Sequence, residues 1–281
     1  MTNRSRPLNI ADMGNPVLEQ AFAYFCRHLI SLVCRCDTLD SGGQPVGKPE
    51  FFGFSGQILS VRGAWCLLTA GHIINGIEAR LKSGRMRMQF VLADHFGPNV
   101  ICHRAIPFDY ESASRIAIDQ DGLDFGLVCI HPHYRRLLEA NGVVPISEER
   151  WMHQHKVEFD RHFMLGFPTG LIETEFHPTA EGYEVIGSLL PTIVYVTKLD
   201  ALPSYAPTKP YQQFVGQIGH GGLHDIDGMS GCPIFGFQKG RDDRYWIVAV
   251  QNSWYTNDRI ILGTPLPVLG QLIEHALQAE T

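Results

Sequence analysis

The sequence is dominated by short apolar segments rich in β-branched and aromatic residues, each closed off by glycine or proline within a few positions. Examples are Phe54 to Val61, Ala64 to Thr69, Met86 to Ala93, Asp124 to Ile130, Phe163 to Phe167, Ile193 to Lys198, Phe214 to Ile218 and Tyr245 to Val250. Many short strands separated by turn signals, with little helix, predict a β-sandwich or β-barrel. Leu29 to Cys36 adds a strand near the start. Helical patterning is confined to three places. Asn15-Pro16 offers a cap and a first-turn proline, and Leu18, Phe22, Phe25 and Leu29 recur at helical spacing, which predicts a helix from Pro16 to about Arg27. Pro132 to Ala140 predicts a second helix, stopped by Asn141-Gly142, and Leu266 to Ala279 a closing amphipathic one.

Composition narrows the function classes. Twenty-three basic residues against 29 acidic ones give a net charge of -6, so no basic surplus points to a nucleic-acid partner. No apolar run approaches the roughly 18 residues of a spanning helix. The most hydrophobic early stretch, Pro16 to Val33, is broken by Glu19, Arg27 and His28, and no secretory signal pattern precedes it. The seven cysteines are odd in number and mostly set among apolar neighbours, which suits reduced buried thiols. A cytoplasmic chain without membrane or nucleic-acid partners is expected.

Three stretches carry chemistry together. Leu67-Leu68-Thr69-Ala70-Gly71-His72 runs an apolar strand into a histidine. Asp124-Phe125-Gly126-Leu127-Val128 opens a buried strand with an aspartate, and Asp227-Gly228-Met229-Ser230-Gly231-Cys232-Pro233 sets a serine in a glycine-bracketed turn. Amide hydrolysis by a neutral hydroxyl needs a base for its proton, a carboxylate to orient that base, and backbone N–H groups aimed at the developing oxyanion. Glycine suits the last task because no side chain obstructs the approach, so Gly228 and the Ser230 N–H are the candidate donors. Asp121 competes with Asp124, but only Asp124 abuts the apolar strand that would bury it.

These stretches resemble the three signatures of the trypsin/chymotrypsin-like serine peptidases of the PA clan, in the bacterial intracellular style. Ser55-Gly56 ahead of the histidine strand, Gly166-Phe167-Pro168 and the terminal helix extend the resemblance over residues 29 to 279. It implies Ser230 as nucleophile, His72 as general acid–base, Asp124 as orienting carboxylate, and Gly228 with Ser230 as the oxyanion hole. It implies two packed antiparallel six-stranded β-barrels with helices at both ends. The expected division is an arm and helix over residues 1–28, a first barrel over 29–131, a linker over 132–150, a second barrel over 151–265 and a helix over 266–281. It further implies that Gln251, Asn252 and Ser253 lie on a strand that pairs with a peptide substrate. His224, Asp225 and Asp227 would line the primary specificity pocket: either aspartate would favour a basic side chain, His224 an acidic one. Three departures stand out. Ile73 replaces the cysteine that secreted relatives carry after the histidine, Met229 replaces the aspartate that binds a new N-terminus, and Cys232 replaces a glycine.

Other features carry less. Asp124-Phe125-Gly126 spells a kinase motif, but no glycine-rich nucleotide loop or His-Arg-Asp accompanies it. The serine turn is not the Gly-x-Ser-x-Gly elbow of α/β-hydrolases. His131/His133, His153/His155 and Cys34/Cys36 read as solvated or core residues rather than metal ligands. Arg80, Lys82, Arg85 and Arg87 read as a solvated hairpin. The expected activity is therefore that of a serine endopeptidase acting on protein or peptide without a cofactor, with the N-terminal arm and first helix, extra to the barrels, as a docking place for a regulatory partner. The alternatives are a peptidase-shaped peptide-binding module, or an enzyme that cleaves only esters.

Overall fold

Ten consecutive residues, Leu29–Thr38, form the strand (β1) on which the N-terminal half is built. It pairs on one side with β2 (Glu50–Val61) and on the other with β4 (Met86–Ala93), both antiparallel. With β3 (Ala64–Thr69), β5 (Ile106–Phe108), β6 (Arg115–Gln120) and β7 (Leu123–Ile130) they make one seven-stranded sheet in the order β5-β4-β1-β2-β3-β7-β6. The computed structural model describes residues 16–94, 105–120, 122–153, 156–179, 182–219, 223, 225–241 and 243–278.

A near-continuous apolar run makes β7 a doubly covered strand, buried everywhere but at Cys129. One of its covers is α2 (Gly71–Lys82), which turns Ile73, Ile74 and Ile77 inward. The basic run is thereby corrected. Arg80 and Lys82 close α2 and Arg87 lies in β4, so these residues form a helix end and a strand start rather than a hairpin. The buried isoleucines supply a stabilisation that the weak local helix propensity of this segment conceals.

The C-terminal half contains a closed barrel of six strands: β8 (Phe159–Gly166), β11 (Thr192–Lys198), β12 (Phe214–Ile218), β13 (Pro233–Gln238), β14 (Tyr245–Tyr255) and β15 (Ile260–Pro265), in the order β11-β12-β15-β14-β13-β8. A separate antiparallel pair, β9 (Ile172–Thr179) and β10 (Gly182–Leu189), leaves the barrel after β8. Helix α3 (Pro132–Ala140) connects the halves, and α4 (Leu266–Gln278) closes the chain. The all-β, two-unit architecture is as expected, except that the first unit is a seven-stranded sheet with β5 and β6 at its edges.

One apolar cluster runs between the units, joining Leu59, Leu68 and Phe125 of the first to Phe163, Leu165, Phe167 and Phe235 of the second. Helix α1 (Pro16–Cys26) belongs to it. The Phe25 ring meets those of Phe163, Phe235 and Tyr245 at centroid separations of 5.0, 5.1 and 4.9 Å. This helix was expected to be extra to the barrels and open to a partner, but its apolar face is already covered by the protein's own core. The arm before it lies outside the described residues. Among those described, no helix is long and apolar enough to cross a membrane.

Candidate active site

Strand β3 delivers His72 directly. It ends at Thr69, Ala70 adopts an extended conformation, and the chain turns into α2 with His72 in the first turn. No side chain of the helix's own segment caps this end. Asp124, arriving on the neighbouring strand β7, does so instead. Its Oδ1 accepts the His72 main-chain N–H at 2.9 Å, and its Oδ2 lies 2.7 Å from the His72 Nδ1. One carboxylate therefore caps a helix and fixes an imidazole, and the N-terminal helix dipole favours its charge. An ionised carboxylate only accepts, so Nδ1 carries the proton and Nε2 is left as the free base. The carboxylate is 10% exposed and the imidazole 41% exposed, so the pair faces an opening on the histidine's side. The Asp124 hydrogen bond raises the His72 pKa above its ordinary value, burial opposes this, and the charges of Asp124 and Asp119 add to the rise.

The serine turn, before β13, is pressed against the end of β3. A Cβ on Gly231 would lie 2.8 Å from both the Ala70 nitrogen and the Ser55 carbonyl oxygen, and it would overlap Thr69 Oγ1. Gly231 also has φ +89°, so glycine is required there twice over. This contact sets Ser230 beside the residues that lead into His72. Among the described residues, no hydrogen bond joins Ser230 Oγ to the imidazole. Such bonds are often long before substrate binds.

The N–H groups of the turn sort into two sets. Asp227 N–H is bound by the Asp225 carboxylate, Met229 N–H by the Ile226 carbonyl, Gly231 N–H by the Gln251 carbonyl and Cys232 N–H by the Met229 carbonyl. Gly228 and Ser230 are the two whose N–H groups have no acceptor among the described residues. They are the pair expected to form an oxyanion hole.

The residues expected to bind substrate fare differently. Asp225 and Asp227 are exposed, so neither forms the buried base of a pocket. Partial desolvation and the neighbouring Asp225 charge hold the Asp227 carboxyl above its usual range. Gln251 cannot pair with a substrate strand: its N–H donates to Cys232 O and its carbonyl accepts from Gly231. Asn252 turns inward, giving Nδ2 to Gln213 Oε1 at 3.2 Å and Thr264 Oγ1 at 2.7 Å. Ser253 pairs with Leu262 of β15 on one side only, because the β13 ladder has ended at Val250. His224, Asp121 and His155 lie outside the described residues.

Asp119, Leu123 and Lys209 are parts of the site that the residue pattern did not signal. A cavity of about 510 Å³ beside the imidazole is lined by His72, Asp119, Leu123, Lys209, Asn252 and Ser253. Cys232 is fully buried beneath Gly166, where any Cβ would collide with its sulfur. Burial pushes its thiol up to about 12, so it does not compete as a nucleophile at neutral pH. His131 caps α3, its Nδ1 accepting the His133 N–H at 3.2 Å. The Cys34 and Cys36 sulfurs are buried 3.5 Å apart.

No protein-family model matches the chain. No curated protein sequence matches it. Among solved structures it is similar to the active form of the Rv3671c protease from M. tuberculosis, at 15% identity over 97% of this chain and 90% of that one, with a TM-score of 0.44. It is also similar to the thermostable serine protease AL20 from an extremophilic microorganism, at 13% identity over 84% and 90%, TM-score 0.40. Tobacco etch virus protease, in its catalytically active form with product, matches at 10% identity over 84% and 72%, TM-score 0.36. The chain's own topology is a seven-stranded sheet and a closed six-stranded barrel that share a core and are flanked by helices.

Proposed function

We propose that this chain is a serine endopeptidase. Ser230 Oγ attacks the scissile carbonyl while His72 Nε2 takes its proton, and the same proton then passes to the leaving amine as the C–N bond breaks. Water repeats the sequence on the acyl-enzyme, with His72 again as base, and frees Ser230. Asp124 keeps the imidazole in the tautomer this requires. The Gly228 and Ser230 N–H groups bind the oxyanion of each tetrahedral intermediate. The substrate is an extended peptide that pairs with the open edge of β14 at Ser253, and the setting is cytoplasmic.

One observation carries the reading: a single carboxylate binds both the backbone and the Nδ1 of His72, at 2.9 and 2.7 Å, next to a turn with two N–H groups that have no acceptor among the described residues. A second reading, a peptide-binding module without turnover, draws support from the missing bond between Ser230 and His72. Incubation with a diverse peptide library, read by mass spectrometry, decides between them. Cleavage by the wild type that is lost in Ser230→Ala supports the enzyme. Intact peptides retained by the folded wild type support the binding module.

A further inference from the structure

Ser55 lies in β2, on the half of the molecule that carries His72, yet its hydroxyl serves the other half. Its Oγ accepts the Phe167 N–H at 2.9 Å and donates to the Gly228 carbonyl at 3.0 Å. The residue is completely buried, so water cannot replace either partner. Its carbonyl accepts the Thr69 hydroxyl at 2.9 Å, which ties the same residue to the approach to His72.

The peptide units around Gly228 are each held by their carbonyls. Asp227 C=O accepts the Thr169 N–H at 2.6 Å, Gly228 C=O accepts the Ser55 hydroxyl, and Met229 C=O accepts the Cys232 N–H at 2.9 Å. In a trans peptide the N–H points away from the C=O. Tying Asp227 C=O toward Thr169 therefore turns the Gly228 N–H the opposite way, and tying Met229 C=O does the same for Ser230. The unit between them, from Gly228 to Met229, is fixed at both ends, by Ser55 and by the Met229 N–H on Ile226 O at 3.0 Å. Gly228 has φ +86°, and glycine offers little resistance to rotation of its flanking peptides. Without these ties both would be free to turn.

We infer that Ser55 and the Thr169 main-chain N–H are positioning groups that hold the Gly228 and Ser230 N–H donors in line; this rests on the peptidase reading above. Neither touches the substrate. Thr169 acts by fixing the peptide plane that presents the Gly228 N–H, and Ser55 by fixing the plane that joins the two donors.

The test uses the full chain, an alkyl fluorophosphonate whose phosphoryl oxygen occupies the oxyanion position, and p-nitrophenyl acetate as a generic ester. Ser55→Ala removes the hydroxyl. Thr169→Pro removes the N–H, together with the side-chain hydroxyl that lies beside Gly228, at an exposed residue opening a 3-10 turn, where proline is tolerated; Thr169→Ala, which loses the hydroxyl but keeps the N–H, is its control. Thr169→Pro decides the matter if Ser55→Ala does not fold. Removing a whole oxyanion donor slows an acyl transfer about 10²- to 10³-fold. Misaligning one should slow labelling about 10- to 100-fold, with the final label still at one per chain. Ester kcat should fall with KM unchanged, and Ser55→Thr, which restores the hydroxyl, should regain most of the rate. Variants that label at the wild-type rate, or that lose only labelled fraction and melting temperature, overturn the inference and leave the peptidase reading standing. A wild type that never labels removes both.

Discussion

Gly231→Ala probes the contact on which the two halves of the site depend. Its added methyl group would sit at φ +89°, within 2.8 Å of the Ala70 nitrogen and the Ser55 carbonyl oxygen. Two of the obstructing atoms are backbone, one in β2 and one just past the end of β3, so they cannot swing aside. A left-handed conformation costs an L-residue about 1–2 kcal/mol, and overpacking typically adds about 1–3 kcal/mol. The sum is about 2–5 kcal/mol. The unfolding entropy of a chain this long is about 0.6 kcal/mol/K, so Tm should fall by about 3–8 °C. Relief of the clash pushes Ser230 away from His72, and a shift of about 1 Å is enough to lower activity about 100-fold. Gly240→Ala is the matched control: its φ is +73°, but nothing lies within 4 Å of its Cβ. It should lose about 2–3 °C from backbone strain alone and keep full activity. Circular dichroism melts and fluorophosphonate labelling rates read both quantities. Equal Tm losses in the two variants, with Gly231→Ala labelling at the wild-type rate, would refute the reasoning.

Two further outcomes follow from the site and the core. Because Asp124 raises the His72 pKa and only neutral imidazole acts as base, activity should rise with pH through a midpoint above the ordinary value of about 6.5. Asp124→Asn should move that midpoint down, and a wild-type midpoint at or below 6.5 in kcat/KM profiles contradicts the pairing. Phe25→Ala should cost about 3–5 kcal/mol, because its ring is packed against three others at about 5 Å. Calorimetry should show a loss of about 5–8 °C, and an unchanged melt would mean that α1 is not part of the core.

The strands were legible where burial and composition agree. Ala64–Thr69 and Met86–Ala93 fall where their apolar runs begin and end. Helix α2 was hidden because Gly71, Gly76 and four isoleucine or asparagine positions give it poor local propensity, and its stability comes from the sheet beneath it. Strand β15 was hidden by Gly263 and Pro265, residues that usually mark turns. At the site, His72, Asp124, Gly228 and Ser230 were readable because their motifs are local. Ser55 was noted only as half of a Ser-Gly pair, since its partners lie 112 and 173 residues away. Gln251 was misjudged for a related reason, both its main-chain groups being taken by the serine turn. Which edge of a strand stays open depends on where its neighbour's ladder stops, and the sequence of β14 does not contain that information.

The most direct measurement is the mass of the folded chain after exposure to a fluorophosphonate, followed by peptide mapping of the adduct. The account predicts one adduct per chain, carried by Ser230, absent from Ser230→Ala and sharply reduced in His72→Ala. A folded protein left unmodified, or modified at another hydroxyl, would contradict it.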